Sequence, residues 1–505
     1  MNMGLEQLFY ASVERDPEKT AIVLRDARVN YTRMLAGVNA YAAFLQRHTD
    51  PGTSVLILAH NSIEQIQLLL GCFAVGRIAC PVNWRMSKQE LSELMKSADF
   101  SLCFYGAACK DLLFGAMELS GDPIRAEEIT AVPPAQDSGR FYPPQPDEHY
   151  ALQFFTSGAT GVPKRVVHTH GSLTRYAQTY TRVSDWTADD VYQTQANLFH
   201  MSGFSAVICM LLGGTLILMD RFCEEVFFRT MERERCTRIS LVPTLISKCL
   251  STGVFHKYDF SSVRKIVYGG SALPLGQVQR TLSECSCSLE EAYGTTETCN
   301  VSVLSGEDHL RAIRGEADET ILQSVGKPIP GVEILLLDEE RRPITEGIGE
   351  VAVRSPFLLS RLDGPAAQNF LDSGYYCTGD IGRFDENGYL YLIDRKNDMI
   401  VSGGENIFPR EVENCISRMA DDVSMVAVIG VPDSYWGEKV VAFIVRYPGS
   451  QVTEQEIIDF CRSQIASYKK PQRVYFVDRL PLNSNGKINR KMVKEIYLRE
   501  YCEKI

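Results

Sequence analysis

The sequence predicts an α/β protein: a large N-terminal domain of two α/β sheets plus a distorted β-barrel subdomain, followed by a small C-terminal α+β domain. Three observations predict it. Short apolar runs alternate with helix-length amphipathic segments through the first three quarters of the chain. After about Val325 the pattern changes to short strands separated by Gly and Asp turns. A charged segment, Asp394-Arg395-Lys396-Asn397-Asp398, then precedes residues 399–505, which carry strand and helix signals of their own.

Each element follows from the pattern. Residues 54–59 read as strand, 63–75 as helix and 78–82 as strand, the rhythm of βαβ units and a mostly parallel sheet. Residues 133–146 are Pro-rich and read as a surface connector ahead of a strand at 151–155. The alternation returns as strand 191–195, helix 205–212, strand 215–219, helix 226–235, strands 239–242 and 263–268, and a helix after Pro274. Residues 333–337, 349–354 and 389–393 then read as antiparallel, barrel-like strands, the last following the turn Asp385-Glu386-Asn387-Gly388. The boundary of the N-terminal domain falls at 394. Residues 201–219 carry no charge over nineteen positions, close to spanning length. The Gly213-Gly214 pair divides them, so they read as buried helix, tight turn and buried strand, and no transmembrane segment is expected.

Composition sets the class. With 505 residues, 45% hydrophobic and 23% charged, the chain is long enough for several domains and ordinary for a globular protein. Its 52 basic and 63 acidic residues give a net charge of −11, which argues against a nucleic-acid partner. From Arg462 onward, eleven Lys/Arg stand against four Asp/Glu, so this tail is either a solvated basic face or an anion site. The fifteen cysteines include no Cys-x-x-Cys pair, and residues 1–10 have no basic stretch leading into an apolar core. Free thiols and a cytoplasmic location are expected. A monomer or homodimer is expected.

The strongest local signal is Phe155-Thr156-Ser157-Gly158-Ala159-Thr160-Gly161-Val162-Pro163-Lys164, directly after an apolar strand. Small residues let backbone N–H groups approach a polyphosphate, hydroxyls add donors and Lys164 supplies positive charge. The spacing differs from the Gly-x-x-x-x-Gly-Lys-Ser/Thr of P-loop proteins. A Gly/Ser/Thr cluster alone is usually a turn; its place after a strand makes it a phosphate loop.

This loop is similar to the signature of the adenylate-forming (AMP-binding) superfamily, which includes acyl- and aryl-CoA synthetases, peptide-synthetase adenylation domains and beetle luciferases. Further matches follow in order: Gly269-Gly270-Ser271-Ala272-Leu273-Pro274, Tyr293-Gly294-Thr295-Thr296-Glu297, Tyr376-Cys377-Thr378-Gly379-Asp380, Asp394-Arg395-Lys396, Ser402-Gly403-Gly404-Glu405-Asn406-Ile407 and Asn485-Gly486-Lys487. The resemblance covers essentially the whole chain and is strongest to fatty-acyl and aryl-CoA synthetases of the 4-chlorobenzoate-CoA-ligase type.

The resemblance implies roles. ATP and AMP would be bound by Thr156, Ser157, Gly158, Thr160, Gly161 and Lys164, by Gly270, Ser271 and Ala272, by Glu291, Ala292, Tyr293, Gly294 and Thr295, and by Asp380, Ile393 and Arg395. Tyr293 would stack on adenine, while Asp380 and Arg395 would hold the ribose. Glu297 would hold Mg²⁺ through a hard carboxylate oxygen, and Thr296 would bond the α-phosphate. Lys487 would bridge the carboxylate and the α-phosphate, a point charge where negative charge develops; elsewhere such a loop lysine is a solvated surface group. With His200, these three are the candidate catalytic residues. Residues 395–398 would be a hinge about which a mobile C-terminal domain turns, bringing Ser402, Gly403 and Gly404 to line a thiol tunnel where glycines let a pantetheine arm pass.

The acid is less legible. The resemblance places Asn197, Phe199, His200, Gly203, Phe204, Gly269, Gly294 and Cys299 around the acyl pocket, with His200 either gating it or packing on the acyl group. No carboxylate stands in the 199–204 loop to bind an amino group, which disfavours an α-amino acid, and Gly294 in place of a bulky residue suggests a larger acyl or aryl substrate. Arg85, Trp436, Tyr468, Lys469 and Lys470 occupy positions resembling nucleotide contacts of coenzyme A. The resemblance thus implies an ATP- and Mg²⁺-dependent acid–CoA ligase for a medium/long-chain fatty or aromatic carboxylate. A ligase that loads a separate acyl carrier protein is the alternative, and a non-catalytic sensor that kept the fold is a third reading. Ala159, Arg165 and Asn397 depart from the pattern without removing a catalytic group.

Overall fold

The computed structural model of the protein describes residues 4–121, 124–132, 137–156, 164–271, 273–362, 364–419, 422–482 and 487–501. Among these, four sheets organise the chain. The first runs Arg361–Leu362, Lys164–Thr169, Tyr150–Thr156, Ile78–Pro81, Ser54–Leu58, Phe100–Tyr105 and Arg125–Glu128, in that spatial order. Its last five strands are parallel, as the βαβ rhythm predicts. The helix Ile63–Ala74 makes the crossover between Ser54–Leu58 and Ile78–Pro81; it starts where Ser62 Oγ accepts the Gln65 N–H at 3.1 Å.

The second sheet has nine strands, and the six from Thr20–Leu24 through Thr215–Leu218, Val191–Thr194, Arg238–Ser240 and Lys265–Gly269 to Ser288–Thr295 are parallel. The uncharged stretch at 201–219 resolves as a short 3₁₀ turn at Met201–Gly203, the helix Phe204–Leu212 and the strand Thr215–Leu218. Gly213 ends that helix at φ +82°, a left-handed cap that glycine adopts without strain. No helix of the described residues is long and apolar enough to cross a membrane.

The two sheets share one core. Leu35, Val38 and Leu45 of the helix Tyr31–His48, Ile66, Leu69 and Phe73 of the next helix, and Val207 and Ile208 of Phe204–Leu212 are buried together in it. The barrel-like region is an antiparallel sheet ordered Pro343–Ile344, Glu333–Leu337, Gly349–Arg354, Tyr376–Phe384 and Leu390–Arg395.

Residues 400–501 build the fourth sheet, in which Glu405–Ile407, Ile400–Ser402, Gly437–Arg446 and Val423–Asp433 are joined by Arg473–Phe476. It carries its own apolar core on each face. Val412 and Ile416 of the helix Pro409–Ile416, with Ile457 of Glu454–Gln464, pack on one side; Val493 and Tyr497 of Arg490–Glu500 pack on the other.

This architecture brings strand ends together. Lys265–Gly269 runs into Gly270, and Ser288–Thr295 runs into Thr296 and Glu297, both at carboxyl ends of parallel strands, where open α/β sheets bind ligands. Asp380 and Arg395 arrive on paired strands of the antiparallel sheet, as register partners.

Candidate active site

Asp380 is the centre of a buried polar cluster. The Tyr293 hydroxyl donates to its Oδ2 at 2.7 Å, and Arg395 Nε pairs with its Oδ1 at 2.7 Å. Its own N–H donates to Thr378 Oγ1, which in turn donates to the Val351 carbonyl at 2.9 Å. A carboxylate so held is fixed in direction, and its field raises the Arg395 guanidinium, whose outer half stays exposed, further above its ordinary range although desolvation opposes it.

Lys487 reaches this cluster from the C-terminal sheet's side of the molecule. A Cβ built on Gly270, which has φ +84°, would sit 2.7 Å from Lys487 Cε and 2.9 Å from Nζ. Burial, then the Arg395 charge, pulls the Lys487 ammonium below its ordinary range, while Asp380 opposes them. His200 feels the same lysine: burial, then Lys487 and Arg85, pulls its imidazole down to about 3. His200 is therefore neutral at physiological pH, and its ring lies 4.4 Å from that of Phe199.

The Thr296-Glu297 turn is clamped from several sides. Thr295 N–H donates to Thr298 Oγ1 at 3.0 Å, Leu359 N–H donates to the Glu297 carbonyl at 2.9 Å, and His168 Nε2 lies 2.8 Å from the Thr296 carbonyl. The Tyr376 phenol is close enough to the Glu297 carboxylate for the two to interact electrostatically. Among the described residues no three His, Cys, Asp or Glu side chains converge as a metal cage. A single hard carboxylate oxygen suits Mg²⁺ that arrives with phosphate oxygens as its other ligands.

Several glycines are set by backbone approach. A Cβ on Gly294 would lie 1.8 Å from the Cys299 carbonyl, at a register shift between Ser288–Thr295 and Cys299–Leu304. The hairpin itself demands this glycine, a reason separate from the size of the acyl pocket. Gly269 abuts the Ala292 carbonyl at 2.3 Å and Gly203 the Asn197 carbonyl at 2.4 Å on the same test. Phe199, Phe204 and Cys299 are buried.

Glu291 has surroundings that its place in the sequence does not show. It is buried beside Tyr268 and lines a cleft with Pro274, Gln323, Arg410 and Asn414, between the nine-stranded sheet and the helix Pro409–Ile416. Burial pushes its carboxyl up to about 7, with Arg410 and the Tyr268 hydrogen bond opposing. Ala292 is buried next to it, and Ile393 is half-buried on the strand that ends at Arg395.

The remaining candidates separate into groups. Thr156 and Lys164 are register partners, while Ser157, Gly158, Thr160, Gly161 and Ala272 lie outside the described residues, as do Ala159, Asn485 and Gly486. Arg165 donates to Gln153 at 2.8 Å, a role that explains an arginine there. Ser271 is exposed beside Gly270. Gly403 N–H donates to the Trp436 carbonyl at 2.8 Å, and Ser402 is buried. Gly404, with φ +85°, and Tyr468 are exposed. Lys469 is paired with Glu411 at 2.7 Å, and Lys470 donates to the Ser467 carbonyl at 2.9 Å. Arg85 lies over Trp84, whose ring stacks on His60 at 3.9 Å. The candidates for coenzyme A are therefore spread over two bodies, unlike Lys487, Gly270, Asp380 and Arg395, which meet.

A model of the AMP-binding enzyme family matches residues 9–361, and one of the AMP-binding enzyme C-terminal domain matches residues 411–487. The chain belongs to the AMP-binding enzyme family. Within it, the chain resembles acyl- and aryl-CoA synthetases. A long-chain-fatty-acid–CoA ligase of Mycobacterium tuberculosis, FadD13, is 31% identical over 94% of each chain. A fatty acid–[acyl-carrier-protein] ligase of Streptomyces coeruleorubidus, ScoC, is 29% identical over 97% of this chain and 96% of its own. Among solved structures, the o-succinylbenzoate CoA synthetase of Bacillus subtilis with its acyl-adenylate intermediate superposes at a TM-score of 0.81, with 26% identity over 96% of this chain and 97% of that one.

Sequence reading of this AMP-binding enzyme missed three contacts. His168, Tyr376 as a partner of Glu297, and Arg490 carry no motif signal for these contacts. Arg490 joins Asp398 at 3.2 Å to Glu413 at 2.6 Å, so the charged segment 394–398 is tied to the helix that begins three residues after Lys487. His168 stands in a run of four buried residues, Val166 to Thr169, which gives no sequence signal of its own.

Proposed function

We propose that the protein is an AMP-forming acid–thiol ligase that adenylates a medium/long-chain fatty or aromatic carboxylate and transfers the acyl group to coenzyme A. The observation that carries this reading is the Lys487 ammonium beside Gly270 and the Tyr293–Asp380–Arg395 cluster. A cation held there in a half-buried pocket is suited to neutralise charge that develops between a carboxylate and an α-phosphate.

In the first step a carboxylate oxygen of the substrate attacks the α-phosphorus of ATP, the bond to the β-phosphate oxygen breaks, and pyrophosphate leaves. Asp380 and Arg395 orient the ribose, Tyr293 offers its ring to adenine, and Thr296 donates to the α-phosphate. Glu297 would hold Mg²⁺, which supplies charge neutralisation at the phosphates. Lys487 holds the acid oxygen and the α-phosphate together. In the second step the sulfur of coenzyme A attacks the acyl carbon, the bond to the AMP oxygen breaks, and the thiol proton is lost. The C-terminal domain, 399–505, turning about 395–398, would carry Lys487 away and bring Gly403 and Gly404 to the thiol. The neutral His200 imidazole beside Phe199 suits packing against an acyl group or gating its pocket.

The similarity to ScoC supports a second acceptor, a separate acyl carrier protein, on the same adenylate. The reading is tested by exchange of labelled pyrophosphate into ATP in the presence of fatty and aromatic acids. Acid-dependent exchange is expected; its absence with every acid class would refute the proposal.

A further inference from the structure

His168, fully buried on the strand Lys164–Thr169, reaches the turn that follows the strand Ser288–Thr295 of the other sheet. His168 Nε2 lies 2.8 Å from the Thr296 carbonyl. A carbonyl can only accept, so Nε2 carries the proton of this bond. Burial keeps the ring neutral, which leaves Nδ1 as an acceptor, and Nδ1 has no partner among the described residues. An unpaired buried acceptor is costly, and an apolar side chain like those of Val166 and Val167 would fill the strand without it. The ring's contribution is therefore its donor.

That donor acts on a particular peptide. The Thr296 carbonyl is held by His168, and the next carbonyl, Glu297, is held by Leu359 N–H at 2.9 Å. The neighbouring Ser360 N–H donates to the Val167 carbonyl at 2.8 Å, so both bonds belong to one seam against the first sheet. A trans peptide sets its N–H opposite its carbonyl. Holding the Thr296 carbonyl toward the buried ring thus turns the Glu297 N–H away from it, on the side opposite the seam.

We propose that His168 is a positioning residue for adenylation, which fixes the Thr296–Glu297 peptide so that the Thr296 hydroxyl, the Glu297 N–H and the Glu297 carboxylate are presented together to the phosphates of ATP. The inference rests on the functional reading above and deepens it. It ties the strand Lys164–Thr169 of one sheet to the Thr296-Glu297 turn of the other through one hydrogen bond.

The test compares His168→Leu, which deletes the donor, with His168→Gln, whose amide nitrogen extends to the same place as Nε2. Acid-dependent ATP–pyrophosphate exchange is expected to fall about tenfold in kcat/KM for ATP in the leucine variant, the worth of one neutral hydrogen bond. Thioester formation from preformed acyl-adenylate and coenzyme A should stay within about twofold of the parent, and the glutamine variant should recover most of the exchange. If the leucine variant does not accumulate folded, His168→Asn, whose shorter amide falls short of Thr296, takes its place with the same expectation. Unchanged exchange would overturn the proposal. So would an equal fall in both half-reactions, or a glutamine variant no better than leucine, because a ring that merely packs between sheets gives those results. No acid-dependent exchange in the parent protein would overturn the functional reading and this proposal with it.

Discussion

Lys487 and Gly270 come from opposite ends of the molecule's architecture and touch so closely that a Cβ on the glycine would fall 2.7 Å from the lysine Cε. Gly270 also stands at φ +84°, which L side chains rarely adopt. Replacing Lys487 by Ala should therefore lower acid-dependent pyrophosphate release by about a hundredfold or more, the usual scale for removing a preorganised charge stabiliser. Thioester formation from isolated acyl-adenylate should survive, because the proposed mechanism uses this cation in the first step alone. Gly270→Val, by strain and by displacing the lysine, should reproduce the first loss while Lys487 is intact.

Asp380→Asn tests the ribose role proposed for the Tyr293–Asp380–Arg395 cluster. The buried carboxylate takes a hydrogen bond from buried Tyr293 and an ion pair from half-exposed Arg395, both at 2.7 Å. An amide keeps the size and loses the charge, which leaves Arg395 without its counter-ion. KM for ATP should rise at least about tenfold, consistent with roughly 1.5–3 kcal/mol for a charged hydrogen bond. KM for the acid should change little, and a steady-state titration of each substrate separates the two.

Glu291 gives a pH dependence with a definite sign. Its carboxyl is raised from the ordinary 4.5 to about 7, chiefly by burial, so the folded protein binds its proton more tightly than the unfolded chain does. The stabilisation is complete below about pH 4.5 and is lost as pH rises through about 7. The swing is about 3 kcal/mol at most. Glu291→Gln keeps the neutral form at every pH, so thermal unfolding of the nucleotide-free variant should be flatter between pH 5 and 8. It should exceed the parent in stability at pH 8. A variant that tracks the parent across this range would contradict the assignment.

Gly403→Ala addresses the second half-reaction. At φ +61° an added Cβ would lie 2.8 Å from Trp436 Cε3, so the ring must move. The substitution should slow thioester formation from preformed acyl-adenylate several-fold and leave pyrophosphate exchange near the parent value. A loss confined to exchange would place Gly403 outside the thiol path.

Much of this was legible in the sequence, for physical reasons. The parallel strands around 54–58 and 78–81 show as β-branched and apolar runs because both faces of a parallel sheet are buried. Lys487, Asp380, Arg395 and Tyr293 stood out because they sit in short motifs that resemble those of one family and follow one another in its order. What escaped were contacts made by single side chains across long separations. His168 reads as one more residue of a buried strand until the second sheet brings Thr296 to it. Gly294 reads as space for substrate, yet the Cys299 carbonyl fills the place of its side chain. Glu291 reads as a nucleotide contact, and only the position of Arg410 on a helix more than a hundred residues later shows that it also faces the domain interface. The spread of Arg85 and Lys469 onto separate bodies follows from domain placement, which local pattern does not encode.

The most direct test of the account is pyrophosphate release from ATP and Mg²⁺ across aliphatic and aromatic acids, measured with and without coenzyme A, with Lys487→Ala alongside. One acid class should turn over many times only when coenzyme A is present, with release of AMP and loss of activity in the Lys487→Ala variant. Multiple turnovers that ignore coenzyme A, or activity that survives in Lys487→Ala, would contradict it.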